Sequence, residues 1–228
     1  GALCNLVGFK PTYGTISRSG LVALASSLDQ IGPLTHTVTD AEIVFNALSS
    51  VDSKDSTCVP LDIRASHIKS LKKKIGVPYH FFENGGVQKE ILEKFKETLS
   101  SLEADGYELV PLKLEYIHYS LPVYYIIQPA EASSNLARFD GIRYGYSEDH
   151  PSLFDVYSKT RGVGLGKEVR RRILLGTYVL SHGYFDAYYG KAIMMKEQIK
   201  KELNTVFETV DVIATPTTAN TAFMFGEK

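Results

Sequence analysis

Between Lys72 and Leu112 the hydrophobic period of the chain changes twice, and that change restricts the fold more than any other stretch. Ile75-Gly76-Val77 is a short apolar run behind three lysines. Val87, Ile91, Leu92, Phe95, Leu99 and Leu102 then recur at helical spacing with charged residues between them, which predicts an amphipathic helix over 87–103. Gly106 ends that helix, and Tyr107 to Leu112 returns as a strand. Strand, helix and strand in this order form a βαβ unit and predict a largely parallel sheet between helices. The expected class is therefore α/β.

The flanking segments fit that class. Residues 1–37 are rich in Gly, Ser and Pro and read as tight turns and short extended pieces. Thr39-Asp40-Ala41-Glu42 is a capping box that opens a helix with Ile43, Val44, Ala47 and Leu48 on one face. Residues 116–138 and 167–195 read mainly as helix, separated by a polar, Gly-rich loop, with Gly162-Val163-Gly164-Leu165-Gly166 as a hinge before the second. Another helical stretch, 194–207, follows a break at Tyr188-Tyr189-Gly190. Val210 to Ala214 reads as a buried strand running into Thr215-Pro216-Thr217-Thr218, at the edge where open α/β sheets usually bind ligands.

Composition excludes several classes. At 228 residues one large core is the default. Lys+Arg 25 against Asp+Glu 26 leaves a net charge of -1, with no broad basic field to neutralise nucleic-acid phosphates. Lys167 with Arg170 to Arg172 is interrupted by Glu168, and the three arginines point in different helical directions. Cys4 and Cys58 stand far apart in no metal-ligand spacing, and the six histidines are scattered singly, so a disulfide scaffold and a metal site are both disfavoured. The cysteine usage fits a reducing compartment. No apolar run approaches the roughly 20 residues needed to span a bilayer, so the expectation is a cytoplasmic protein with no membrane contact. The first residue is Gly1, not Met, so the chain is expected to be part of a single domain, 1–228, that continues beyond both ends.

Two local patterns carry little weight. Ser66-His67-Ile68-Lys69 and Ser70-Leu71-Lys72-Lys73 satisfy S-x-x-K, but neither S-D-N nor K-T-G accompanies them. Gly162 to Gly166 fails the dinucleotide fingerprint, because Lys167 stands where the third glycine should be and no strand leads in.

Two longer runs carry a family resemblance. Val7-Gly8-Phe9-Lys10-Pro11-Thr12-Tyr13-Gly14, with Ser17-Arg18-Ser19-Gly20 and Ser26-Ser27-Leu28-Asp29-Gln30-Ile31-Gly32-Pro33, resembles the end of the amidase signature. Tyr124-Tyr125-Ile126-Ile127, Glu131 through Gly141, and Arg143-Tyr144-Gly145 resemble the A-subunit branch of that family, which serves the Glu-tRNA(Gln)/Asp-tRNA(Asn) amidotransferases, more than a generic amidase. Gly166 to Ile173 and Tyr184 to Tyr189 keep the pattern, so the resemblance covers essentially the whole chain.

The resemblance implies an amidase-signature fold, with a central mostly parallel mixed sheet flanked by helices, and a Ser, cis-Ser, Lys triad that releases ammonia from a carboxamide. It places the nucleophilic serine in a Gly-Gly-Ser segment a few residues before the position of Ala2, and the lysine and bridging serine further back. All three are thus expected upstream of Gly1, and residues 1–228 by themselves are expected to be inactive. The implied partners are B and C subunits in a heterotrimer, where ATP and Mg belong to the partner and a misacylated tRNA is gripped there too. This chain itself is expected to hold no cofactor.

The resemblance further points to Tyr124 and Arg172 as contacts to glutamine. At about 100° per residue Arg172 falls among Leu175, Gly176 and Val179 on an apolar arc, where a guanidinium needs an anionic partner. The α-carboxylate of glutamine would serve. The plainer alternatives are a salt bridge to an internal carboxylate for Arg172 and a core aromatic for Tyr124. Asp29 and Gln30 support either a catalytic loop or only a turn. The rival readings of the whole are a stand-alone amidase of a small carboxamide and a non-catalytic scaffold that kept the fold.

Overall fold

The computed structural model describes residues 1–59, 72–82 and 85–227, which divide into two compact units. One comprises residues 1–19, 30–115 and 201–228 and the other 20–29 and 116–200. The S-x-x-K serines, Ser66 and Ser70, lie outside the described residues.

In the first unit a short helical turn opens at Gly1, whose carbonyl accepts the N–H groups of Cys4 at 2.9 Å and Leu6 at 3.1 Å. β1 (Val7–Gly8) then pairs antiparallel with β2 (Leu34–Thr35), and α1 (Val38–Leu48) follows. The expected βαβ unit is present: β3 (Lys74–Val77), α2 (Lys89–Ala104) and β4 (Glu108–Pro111), with β3 and β4 parallel from Lys74 opposite Glu108 to Val77 opposite Pro111. β5 (Val212–Ile213) joins the other side of β3, also parallel, giving the order β4-β3-β5. The α2 stripe delivers Leu99 into a core with Ile75, Val77 and Phe82, against which Leu92, Phe95 and Leu102 pack. Gly76 on the central strand is crossed closely. A Cβ there would sit 2.5 Å from Leu112 Cδ1 and 3.2 Å from Val210 Cγ2.

The second unit is helical. It holds α3 (Ser120–Leu136), α4 (Leu153–Gly164), α5 (Lys167–Leu180), a π-helical turn at Phe185–Gly190 and the first part of α6 (Lys191–Phe207). Val123, Ile127 and Ala192 form its core, with Ile126, Tyr189, Ile193 and Ile199 packed around them. Instead of one large core, the described residues build two clusters, one around the sheet and one between helices. Among the described residues no helix is long and apolar enough to cross a membrane.

Four local expectations are corrected. Helix α1 begins at Val38, and its cap is Thr37, whose Oγ1 accepts the Asp40 N–H at 3.0 Å; the Thr39 box lies inside the helix. Ile43, Val44, Ala47 and Leu48 are exposed, while Ala41 is buried and half-buried Phe45 meets the Phe9 ring edge-on. Burial here follows what this short helix touches, not its apolar period. The Gly-rich stretch before Lys167 is helical: Gly162 and Gly164 lie in α4 and Gly166 caps α5. β5 is only partly buried, with Val212 49% exposed, because only its β3 side is paired among the described residues; Val210 just before it is buried.

Candidate substrate-binding site

Helices α3 and α5 approach to backbone distance at one place, and that place sets which side chains face each other. A Cβ on Gly176 would run into the Pro129 carbonyl, 2.5 Å from its carbon, and lie 2.8 Å from Ser133 Cβ. Only glycine leaves room. One turn before Gly176 on α5 is Arg172, and one residue before Pro129 on α3 is Gln128. Arg172 Nη1 therefore meets Gln128 Oε1, to which it donates at 2.6 Å, and also reaches the Tyr124 hydroxyl at 3.4 Å. Tyr124 and Gln128 are four residues apart on α3, as Glu168, Arg172 and Gly176 are on α5, so each set shares one face of its helix. The fold thus brings together the two residues singled out from the sequence.

Glu168 completes the grip and sets the charge. Its Oε1 accepts Arg172 Nε at 2.9 Å, while Oε1 and Oε2 each accept from Arg171 at 2.9 Å. The carboxyl is held down to about 2, first by Arg171 and then by Arg172. The Tyr124 hydroxyl, and after it Glu168, raise the Arg172 guanidinium above its ordinary value. One carboxylate serves two guanidiniums, so this trio keeps one positive charge. The Arg172 side chain is 29% exposed, and its Nη2 has no hydrogen bond to a described residue. The salt bridge that was the plainer alternative for Arg172 is thus present, but with an exposed and shared carboxylate of its own helix. Of the apolar arc expected around it, Gly176 and Val179 are buried while Leu175 is exposed. Tyr124 is 40% exposed.

Gln128 and Glu168 were not singled out from the sequence. The i,i+4 spacing of Glu168 and Arg172 could have been found there, whereas the contact from Gln128 crosses between helices. Gln128, Glu168, Arg171, Arg172 and Leu175 line a cavity of about 70 Å³, space for a water or two. The groups assembled here, a guanidinium that keeps a positive charge beside a phenolic hydroxyl, are suited to holding an anion.

The segment used to separate the subtype from other amidases has a clear local task. Glu131 on α3 accepts the Ser27 N–H at 2.8 Å and its hydroxyl at 2.5 Å, while Asn135 Nδ2, one turn on, donates to Leu24 O and Ser26 Oγ. These two side chains anchor the loop that carries Ser26-Ser27. Asp29 accepts the N–H groups of Leu24 and Ala25, which is the turn-stabilising role. Buried Asp140 accepts from Ile142 N at 2.9 Å and Arg143 N at 3.4 Å, and Ile142 first among these lowers its carboxyl pKa. In the other unit, the loop after β5 is held by Gln88, whose N–H donates to Ala219 O and whose Oε1 accepts from Thr221 N.

The amidase family model matches residues 1–228. The A subunits of glutamyl-tRNA(Gln) amidotransferase from Heliobacterium modesticaldum and Clostridium botulinum are 48% and 49% identical over 100% of this chain, which covers 47% and 48% of them. The chain thus spans about half the length of the curated relatives it matches. The crystal structure of the glutamyl-tRNA(Gln) amidotransferase A subunit from Thermotoga maritima superposes with a TM-score of 0.72 at 40% identity, covering 100% of this chain and 45% of that one. A crystal structure of an amidase does so at 0.70 and 25% identity, covering 99% and 43%.

Proposed function

The chain belongs to the amidase family, and from that premise we propose that the whole protein is the glutamine-hydrolysing subunit of a tRNA-dependent amidotransferase. In this reading ammonia released from glutamine passes to a partner that activates a misacylated Glu-tRNA(Gln) or Asp-tRNA(Asn) and amidates it. ATP and Mg act in that partner, the assembly contains B and C subunits, and the work is done in the cytoplasm as a step of protein biosynthesis. The net charge of -1 fits a division of labour in which the tRNA is gripped elsewhere.

One observation carries the reading to this chain's own residues: the Arg172 guanidinium, seated by neighbours but retaining surplus positive charge and an open Nη2, beside the Tyr124 hydroxyl. A free amidase of small neutral carboxamides has no need of such a group, whereas glutamine presents an α-carboxylate that two parallel N–H donors can hold. Recognition of that carboxylate orients the side-chain amide toward the serine nucleophile expected from the family. Positioning of this kind affects binding first.

The test is Arg172→Ala in the whole protein. Hydrogen bonds to charged groups contribute about 1.5–3 kcal/mol, which corresponds to a rise in glutamine KM of roughly tenfold to a hundredfold. The KM of a small carboxamide without a carboxylate should stay as it was. An unchanged glutamine KM removes the clamp and returns the chain to the stand-alone amidase reading.

A further inference from the structure

We propose that Gln128 is a positioning residue for glutamine, a neutral strut that orients the Arg172 guanidinium without cancelling its charge. The proposal rests on the carboxylate-clamp reading above. Gln128 is only 2% exposed, and its Oε1 makes the shortest contact Arg172 has, 2.6 Å to Nη1. The other end of the amide is out of balance: Nε2 is buried and has no partner among the described residues. An unpaired buried N–H is unfavourable, so packing alone gives no reason for an amide at this position.

Comparison with side chains of similar shape supplies the reason. Methionine would fill the volume and spare the orphaned N–H, but it would take away the acceptor that fixes Nη1. Glutamate would provide the acceptor and remove the orphaned donor. It would also put a second carboxylate beside the one that Arg171 and Arg172 already share, and the surplus positive charge would be gone. Glutamine alone of the three holds the guanidinium and leaves it cationic. Its neighbour Pro129 lies against Gly176, so the amide is carried beside a close backbone contact between α3 and α5, where a strut keeps its place. Gln128 lines the same cavity as Arg172.

The experiment measures kcat and KM for ammonia release from glutamine by the full-length enzyme in its assembled complex. Gln128→Glu should raise the glutamine KM by about tenfold or more with kcat within about twofold, and Gln128→Met should raise it by a smaller factor, about threefold. In an Arg172→Ala background Gln128→Glu should change KM by less than about twofold, because the strut then has nothing to hold. A glutamine KM within about twofold of the wild type for Gln128→Glu, an equal rise in the Arg172→Ala background, or a fall in kcat alone would each overturn the proposal. If the buried carboxylate prevents folding, Gln128→Met and its double variant with Arg172→Ala decide by the same criteria. The clamp reading fails separately: it is lost if Arg172→Ala by itself leaves KM unchanged.

Discussion

Glu168 shows how much one exposed side chain can organise. Its carboxylate pairs with Arg171 and Arg172 together, and its pKa falls from the ordinary 4.5 to about 2. The folded value lies below the unfolded one, so the stability this group contributes is fully present above pH 4.5 and disappears as the pH falls toward 2. The pair is solvent-exposed, which keeps the effect small and sensitive to salt. Thermal unfolding of Glu168→Gln beside the wild type should show a gap in Tm at neutral pH that narrows through this window and closes at its acid end. A gap of constant size would mean that the carboxylate is not paired in solution. Of the residues at this site, Tyr124 and Arg172 were legible through the family resemblance, and Glu168 was legible as an i,i+4 partner. Gln128 was not, because its role depends on which residue of another helix stands opposite.

The packing of α3 on α5 turns on Gly176. Adding a single methyl group there forces it into the Pro129 carbonyl and Ser133, and backbone atoms cannot swing aside as a long side chain would. Gly176→Ala should therefore destabilise the protein by about 1–3 kcal/mol, visible as a lower Tm. It should also raise the glutamine KM, since separating the helices draws Arg172 away from Gln128 and Tyr124. A variant with wild-type Tm and KM would show that the helices stand further apart than described. Element α4 teaches the converse lesson. Leu153–Gly164 has two glycines in its last turn and a weak apolar pattern, so the sequence read as loop. The helix is held instead by tertiary contacts: Arg161 Nη1 donates to Leu136 O and Phe139 O, and buried Thr160 accepts the Glu148 N–H. By contrast α2 was legible within two residues, because its stripe is regular and faces one core.

For the molecule as a whole, the relevant feature is two clusters with separate membership, one on the parallel sheet and one among helices. Val77 is fully buried in the first and Ile127 is 2% exposed in the second. Truncating either to alanine should cost about 2–4 kcal/mol from lost burial and the cavity left behind. Amide hydrogen exchange can locate the damage. Val77→Ala should loosen β3, β4 and α2 most, and Ile127→Ala should loosen α3 and α6 most. Equal loosening everywhere would mean that the two clusters open as one cooperative unit.

What is local and periodic could be read from the order of residues: the βαβ unit, the positions of the long helices, and the family to which the resemblance pointed. Each rests on spacing along one element or on a run of neighbouring residues, and such information survives without coordinates. Packing in three dimensions was needed to establish which face of α1 is buried, that α4 is a helix, and that Gln128 stands against Arg172. Those outcomes depend on close approach between elements distant in sequence, above all the contact of Gly176 with Pro129, and no period along a single chain encodes which residues will stand opposite one another.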